Sequence, residues 1–221
     1  MIESMRDIYV VTHPEATHHV EDRVGGWFDS SLTERGHAHA KLIADHLVTD
    51  LAPAAALFTS DLTRCVQTAE HIAEVIGTTP VLLSELREKS YGEGEGRPDA
   101  WFRDRFVPPP AVGDRMNHIE GIPGSETKAQ WAERVYEGMT SILRSPAEQI
   151  VVVTHGGTAT LVIAHWIGMP LASLSRVRFV TPSGSITHLK RDAYFNNHSV
   201  ETLGSTTHLE VPRGTVKAIA S

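Results

Sequence analysis

An alternation limits the fold more than any other feature of this chain. Short apolar, β-branched runs are each followed by a segment with helical spacing. IYVV (8–11) precedes SLTERGHAHAKLIADHLV, AALFTS (55–60) precedes LTRCVQTAEHIAEVIG, and QIVVV (149–153) leads to GGTATLVIAHWIG. Runs this short and this continuously apolar suit strands buried on both faces. Strands that alternate with helices imply a doubly wound α/β architecture, a mostly parallel sheet with helices on both faces.

Local signals fill in the elements. Thr33 is placed to cap the first long helix, with Ala38, Leu42, Ile43, His46 and Leu47 sharing one side at helical spacing. Gly77 closes the second. VLL (81–83) makes a short third strand, and a further helix is expected from about Glu126 to Leu143. Between them the pattern breaks down. Glycines 92, 94 and 96 and the run VPPPAVGDR describe an irregular excursion, expected to form a lid at about 89–124. VRFVT and GSITHLKR predict a closing pair of strands about a Pro182-Ser183-Gly184 turn, and the polar tail from about 193 takes no element. Residues 1–221 read as one domain.

Composition excludes some functions. Of the 221 residues 41% are hydrophobic and 21% charged, ordinary for a chain with one sizeable core. A formal charge of −7 argues against a nucleic-acid-binding surface. Cys65 is the one cysteine, so no internal disulfide forms and a cytoplasmic setting is expected; Cys65 itself reads as a buried small hydrophobe. No apolar signal region follows Met1 and no run reaches membrane-spanning length, so no membrane association is expected.

Function enters through an echo. VVTH occurs at 10–13 and again at 152–155, each placing a histidine just past a core strand. Ligands of such sheets bind beyond the carboxyl ends of the strands. If the two strands are neighbours, His13 and His155 face one pocket.

Four segments, in order, carry a resemblance: THPEATHHVEDRVGGWFDSSLTERG, TSDLTRCVQTAEHIA, LREKSYGEGEG and VVVTHGGTATLVIAHWIG. They resemble the histidine phosphatase superfamily, which contains cofactor-dependent phosphoglycerate mutases and many small-molecule phosphatases. The resemblance implies a role for each matching residue. His13 is the nucleophile that takes the phosphoryl group, Arg64 binds phosphate, Glu88 donates a proton, and His155 contacts the phosphoryl group in flight. Gly156 and Gly157 open a helix whose first amides add positive charge. Phosphoryl transfer needs little more than an in-line nucleophile and positive charge around the equatorial oxygens. A bland alternative for Glu88 is ordinary surface pairing with Arg87 or Lys89.

The chain also departs from the family. Thr12-His13-Pro14 stands where the family has arginine-histidine-glycine, His19 stands where it often has asparagine, and Gly94 stands where tryptophan is usual. Thr12 and His19 are still placed in the phosphate pocket. Losing one charge-assisted grip on a buried phosphate costs roughly 2–5 kcal/mol, and His18 or His19 as imidazolium is expected to restore part of the charge at mildly acidic pH. Trp101, Phe102, Phe106 and Trp131 either line the lid or pack the core. His13, His19, His155 and Glu88 form no compact ligand motif, so neither a metal nor a cofactor is expected.

The expected function is hydrolysis of a small phosphorylated metabolite through phosphohistidine. Small phosphorylated substrates or inorganic phosphate are the expected ligands, and a homodimer is left open. The excursion is short for a family mutase. The rivals are a catalytically weak or silent member that binds an anionic ligand or a protein partner, and a member with altered, non-phosphatase chemistry.

Overall fold

β1 (Arg6–Thr12) lies near the middle of a mixed sheet because every residue from Ile8 to Thr12 is buried, which only a strand covered on both faces allows. The computed structural model describes residues 6–53 and 55–210. In chain order β1 is followed by α1 (Thr17–Val20), α2 (Glu34–Leu47), β2 (Ala56–Thr59), α3 (Thr63–Ile76), β3 (Val81–Leu82) and α4 (Asp99–Arg103). Then come α5 (Lys128–Ile142), β4 (Gln149–Thr154), α6 (Gly156–Trp166), β5 (Ile186–Arg191) and β6 (His198–Ser205). The strand order is β3-β2-β4-β1-β5-β6. The first four strands run parallel, while β5 and β6 add to the far side antiparallel.

The two-residue period of the strands divides the core. Ile8, Val10, Ile150 and Val152 pack against α5 and α6, whereas Tyr9, Val11, Val151 and Val153 pack against α2 and α3. The chain leaving β1 therefore enters one helical layer, and the chain leaving β4 enters the other. Such a reversal opens a crevice at the carboxyl ends of the two strands. The register sharpens this: Thr12 pairs with Thr154, so His13 and His155 emerge side by side.

Several sequence expectations hold. The Thr33 side chain caps α2 by accepting the Gly36 N–H, and Gly77 ends α3 in the left-handed region at φ 69°. Others need correction. The buried stripe of α2 is Gly36, Ala40, Ile43, Ala44 and Leu47; Ala38 and His46 face outward. VRFVT is not a strand. Phe179 instead exchanges hydrogen bonds with the Thr160 hydroxyl, which holds the stretch against α6. The partner of β5 is β6, which lies in the tail the sequence left without an element. β6 is an edge strand, largely exposed, and has no need of an alternating apolar pattern. The excursion is irregular apart from α4 and a short 3-10 turn at 92–94.

Candidate active site

His13 begins where β1 ends. Its backbone N–H continues the sheet by donating to the Thr154 carbonyl at 2.9 Å. Its ring Nδ1–H donates to the Pro14 carbonyl at 2.8 Å, which fixes the tautomer and leaves Nε2 unprotonated, with its lone pair as an acceptor. Proline lacks a backbone N–H, but its carbonyl serves here as the orienting acceptor. Arg64 Nε–H lies 3.2 Å from that Nε2. Burial, reinforced by the Arg64 charge, holds the His13 pKa well below the ordinary histidine value, so the ring is neutral.

Arg64 is 1% exposed, set in the first turn of α3. Its Nη1 and Nη2 donate to the Phe28 and Gly26 carbonyls at 2.8 and 2.6 Å, which anchors the loop before it. Burial lowers its pKa from a value so high that the guanidinium stays charged. The His155 ring meets that of His13 edge-on, with centroids 5.1 Å apart. Its Nε2 is 3.0 Å from Ser60 Oγ and 3.5 Å from Cys65 Sγ. Burial first, then Arg64 and His13, keep His155 neutral as well. Cys65 is the buried small group expected, its thiol pushed up to about 12 by burial.

Glu88 is not a surface charge. Arg87 pairs with Asp61 at 2.6 Å and Lys89 pairs with Glu120, so neither charged side chain engages it. Its carboxyl group accepts N–H bonds from Gly157 at 2.8 Å and Lys89 at 3.0 Å, with the Thr158 hydroxyl at 3.3 Å. Burial nevertheless raises its pKa, outweighing those bonds. A Cβ at position 157 would fall 2.6 Å from Glu88 Oε1, so only glycine leaves the carboxyl group its place. The Gly157 amide is therefore spent on Glu88, and Gly156 is the helix-opening residue that lines the cavity.

Two sequence expectations change at this site. Thr12 lines the cavity, but its hydroxyl donates to the Pro182 carbonyl at 2.5 Å and accepts the Ser185 N–H at 3.0 Å. Its single proton is committed to the protein, so Thr12 supports the wall rather than gripping an anion. His19 does lie at the rim, its ring parallel to His13 at 5.6 Å, with Nδ1 accepting the Ala16 N–H and Nε2 left to donate. Neither neighbouring histidine supplies a cation, however. Burial pushes the His18 pKa down to about 3, and His19 is lowered too, by burial and then by Arg64. His18 is tied through Nδ1 to Ser30 at 2.6 Å. Of the aromatic candidates, Trp131 packs on the core beside Gly157, while Trp101 sits on the excursion between Arg97 and Arg105. Phe102 and Phe106 stack on each other, and Phe102 also meets Tyr91, within the 89–124 excursion and not in the lining of the hollow.

The hollow these residues enclose measures about 260 Å³. Its lining includes His13, His18, His19, Arg64, Glu88 and His155, along with Gly26 and Ser183, which the sequence did not single out. Glu95 was also missed: it gathers the Trp27, Phe28 and Tyr91 amides and the Ser90 hydroxyl, joining the loop after α1 to the lid. A glutamate among glycines gives no sign of four such partners. Among the described residues, no three His, Cys, Asp or Glu side chains are disposed to hold a metal ion.

A family model described as "Histidine phosphatase superfamily (branch 1)" matches residues 8–200. The chain belongs to this superfamily. Among histidine phosphatase relatives, "Probable phosphoglycerate mutase GpmB" of Yersinia pestis (strain Pestoides F) is 29% identical over 214 residues, covering 94% of this chain and 97% of its own. YhfR of Bacillus stearothermophilus superposes with TM-score 0.74 at 26% identity, over 93% of this chain and 100% of that one. A mycobacterial glucosyl-3-phosphoglycerate phosphatase in complex with VO3 gives 0.73 at 21% identity, over 91% and 100% of the two chains. That identity speaks to the histidine phosphatase fold alone, and the six-stranded sheet agrees with it. No described helix is long and apolar enough to cross a membrane.

Proposed function

We propose that the protein is a phosphatase that hydrolyses a small phosphorylated metabolite by way of a phosphoryl group on His13. One observation carries the reading. A neutral imidazole, oriented by Pro14, has an unprotonated Nε2 that accepts the N–H of a buried guanidinium in a hollow shared with His155 and Glu88. Nothing has to be deprotonated before that nitrogen attacks phosphorus. Arg64 then turns its N–H to a phosphoryl oxygen. The P–O bond to the leaving group breaks, and protonated Glu88 gives its proton to the departing oxygen. The Nδ1–H···O bond to Pro14 strengthens as the phosphorylated ring becomes cationic. Glu88, now a carboxylate, takes a proton from a water that attacks phosphorus. The P–N bond breaks, and His13 and protonated Glu88 are restored.

The size of the hollow agrees. At about 260 Å³ it lies just under the ~300–1,000 Å³ typical of pockets that enclose a whole ligand. It takes the phosphoryl end and leaves the remainder of the substrate to the rim and the lid. GpmB relatives and the mycobacterial phosphatase, by their names, act on phosphorylated small molecules, which supports this substrate class. Among the described residues, Arg64 is the one Arg or Lys lining the hollow, so the transition state has less positive charge than two arginines would give it. That points to a slow phosphatase.

The test is covalent. Incubation with a radiolabelled aryl phosphate, then rapid denaturation, should leave an acid-labile, base-stable label that is absent from His13→Asn. Folded wild-type protein that gives neither turnover nor label would overturn the reading and favour a silent, anion-binding member.

A further inference from the structure

The tail beyond β6 reaches back to the nucleophile. Residues Thr207–Leu209 form a single 3-10 turn. It lies against α2, with Leu209 packed on the core that holds Ile43 and Leu47. His208 Nε2–H donates to the Gly184 carbonyl at 2.9 Å. The N–H of the same peptide plane belongs to Ser185 and is shared between Thr12 Oγ1 and the Pro182 carbonyl, each at 3.0 Å. Thr12 Oγ1–H passes on to the Pro182 carbonyl at 2.5 Å. A continuous chain of donors thus runs from a tail imidazole, through one peptide group, to the residue before His13. Bonds linked in this way polarise and stiffen one another.

A second arm reaches His13 itself. Its carbonyl oxygen accepts the Gly184 N–H at 3.2 Å and the Ser183 hydroxyl at 3.0 Å. Gly184 adopts φ +75°, and a Cβ there would lie 3.0 Å from Leu209 Cδ1. The turn is therefore pressed between the tail and the strand end. Its peptides hold Thr12 by the side chain and His13 by the backbone, while the Pro14 carbonyl holds the His13 ring. We infer that His208 is a positioning residue for the His13 nucleophile, acting through the Gly184–Ser185 peptide. The inference rests on the reading of His13 as the attacking group, and it gives Thr12 a task that needs a hydroxyl.

Three variants separate this role from mere packing. His208→Met keeps the bulk and removes the donor, His208→Gln keeps a donor for the Gly184 carbonyl, and Thr12→Val keeps the shape and breaks the chain. His208 is half-buried, so these substitutions fall on a tolerant position. Expected for His208→Met is a fall of about tenfold in kcat against an aryl phosphate, the size of one displaced hydrogen bond, with little change in KM. His208→Gln should recover most of it. Combining His208→Met with Thr12→Val should cost less than the product of the single losses, because both cut one chain. Wild-type kcat in His208→Met, equal losses in Met and Gln, or fully multiplicative losses would each overturn the proposal.

A second readout does not depend on turnover. The imidazole nitrogen resonances of His13, assigned by their loss in His13→Asn, should move in His208→Met and return in His208→Gln. If wild-type protein takes no label on His13 but these shifts appear, the function reading fails and the positioning link stands. If the label forms and the shifts are absent, the link fails alone. Should His208→Met not fold, His208→Leu makes the same comparison.

Discussion

At the scale of single residues, Glu88 shows how one group can be held in two ways at once. Two amides and a hydroxyl hold the carboxyl group in place, yet burial still raises its pKa. The chemistry proposed here needs His13 neutral and Glu88 protonated, and the two shifts are opposite in sign. His13 titrates well below its ordinary value and sets the acid limb of kcat/KM; Glu88 titrates above its own and sets the alkaline limb. Glu88→Gln should abolish the alkaline limb. It should slow alkyl phosphates roughly 100-fold or more, the worth of a general acid, and aryl phosphates far less, since their leaving groups need no proton. Equal losses on both substrate types would remove Glu88 from the role of acid. The placement of His13 and His155 was legible in the sequence because each directly follows the end of a strand, and that of Arg64 because its motif opens the helix after the next strand. The fate of Thr12 was not. Its hydroxyl partner, Pro182, lies 170 residues further along, and local sequence carries no record of so distant a contact. The expected help from His18 failed for a related reason: charge needs water, and the fold removes it there.

At the scale of elements, signals confined to one turn were the dependable ones. Thr33 and Gly77 act within three or four residues of themselves, and both do as their chemistry dictates. The α2 stripe was misread because apolar spacing alone cannot separate neighbouring faces of a helix. Ala38 fits the period but looks outward, while Gly36 is buried because a Cβ there would meet the Glu15 carbonyl at 2.1 Å. VRFVT has strand composition but finds the Thr160 hydroxyl instead of a ladder, and β6 forms because β5 offers it an open edge. Pairing was decided by the neighbour available rather than by propensity. Gly77 offers a clean measurement. It sits at φ +69° with nothing within 4 Å of where a Cβ would stand, so substitution meets backbone strain and no clash. Gly77→Ala should lower unfolding stability by about 1–2 kcal/mol, read as a shift in the urea midpoint with unchanged slope and unchanged kcat. No shift would show that the helix end relaxes into another turn.

At the scale of the whole molecule, the fold keeps an unusual number of imidazoles neutral. His13, His18, His19, His39, His155, His165 and His208 all have pKa values below the ordinary one, with burial the leading cause in each. The unfolded chain takes up protons on these rings near pH 6.5, and the folded chain does so only at lower pH, much lower for His13, His18 and His155. Between those limits the unfolded state binds more protons, so stability falls as pH falls. For His18 the window runs from 6.5 to about 3. Glu88 and Glu95 act the other way. Their pKa values are raised from 4.5, so the folded state keeps protons the unfolded chain has lost, and that stabilisation fades as pH rises through the folded values. Seven rings against two carboxyl groups settle the sign below pH 6.5. Each fully buried ring adds up to about 1.4 kcal/mol of destabilisation per pH unit. The melting temperature should therefore drop steadily from pH 7 to pH 5. His18→Gln, which keeps a polar side chain beside Ser30 but cannot take up a proton, should flatten the slope while lowering the value at pH 7 only slightly. A melting temperature that holds level or climbs over this interval would mean that the rings are hydrated enough to titrate alike in both states, and the neutral, dry pocket required for attack by His13 would go with it.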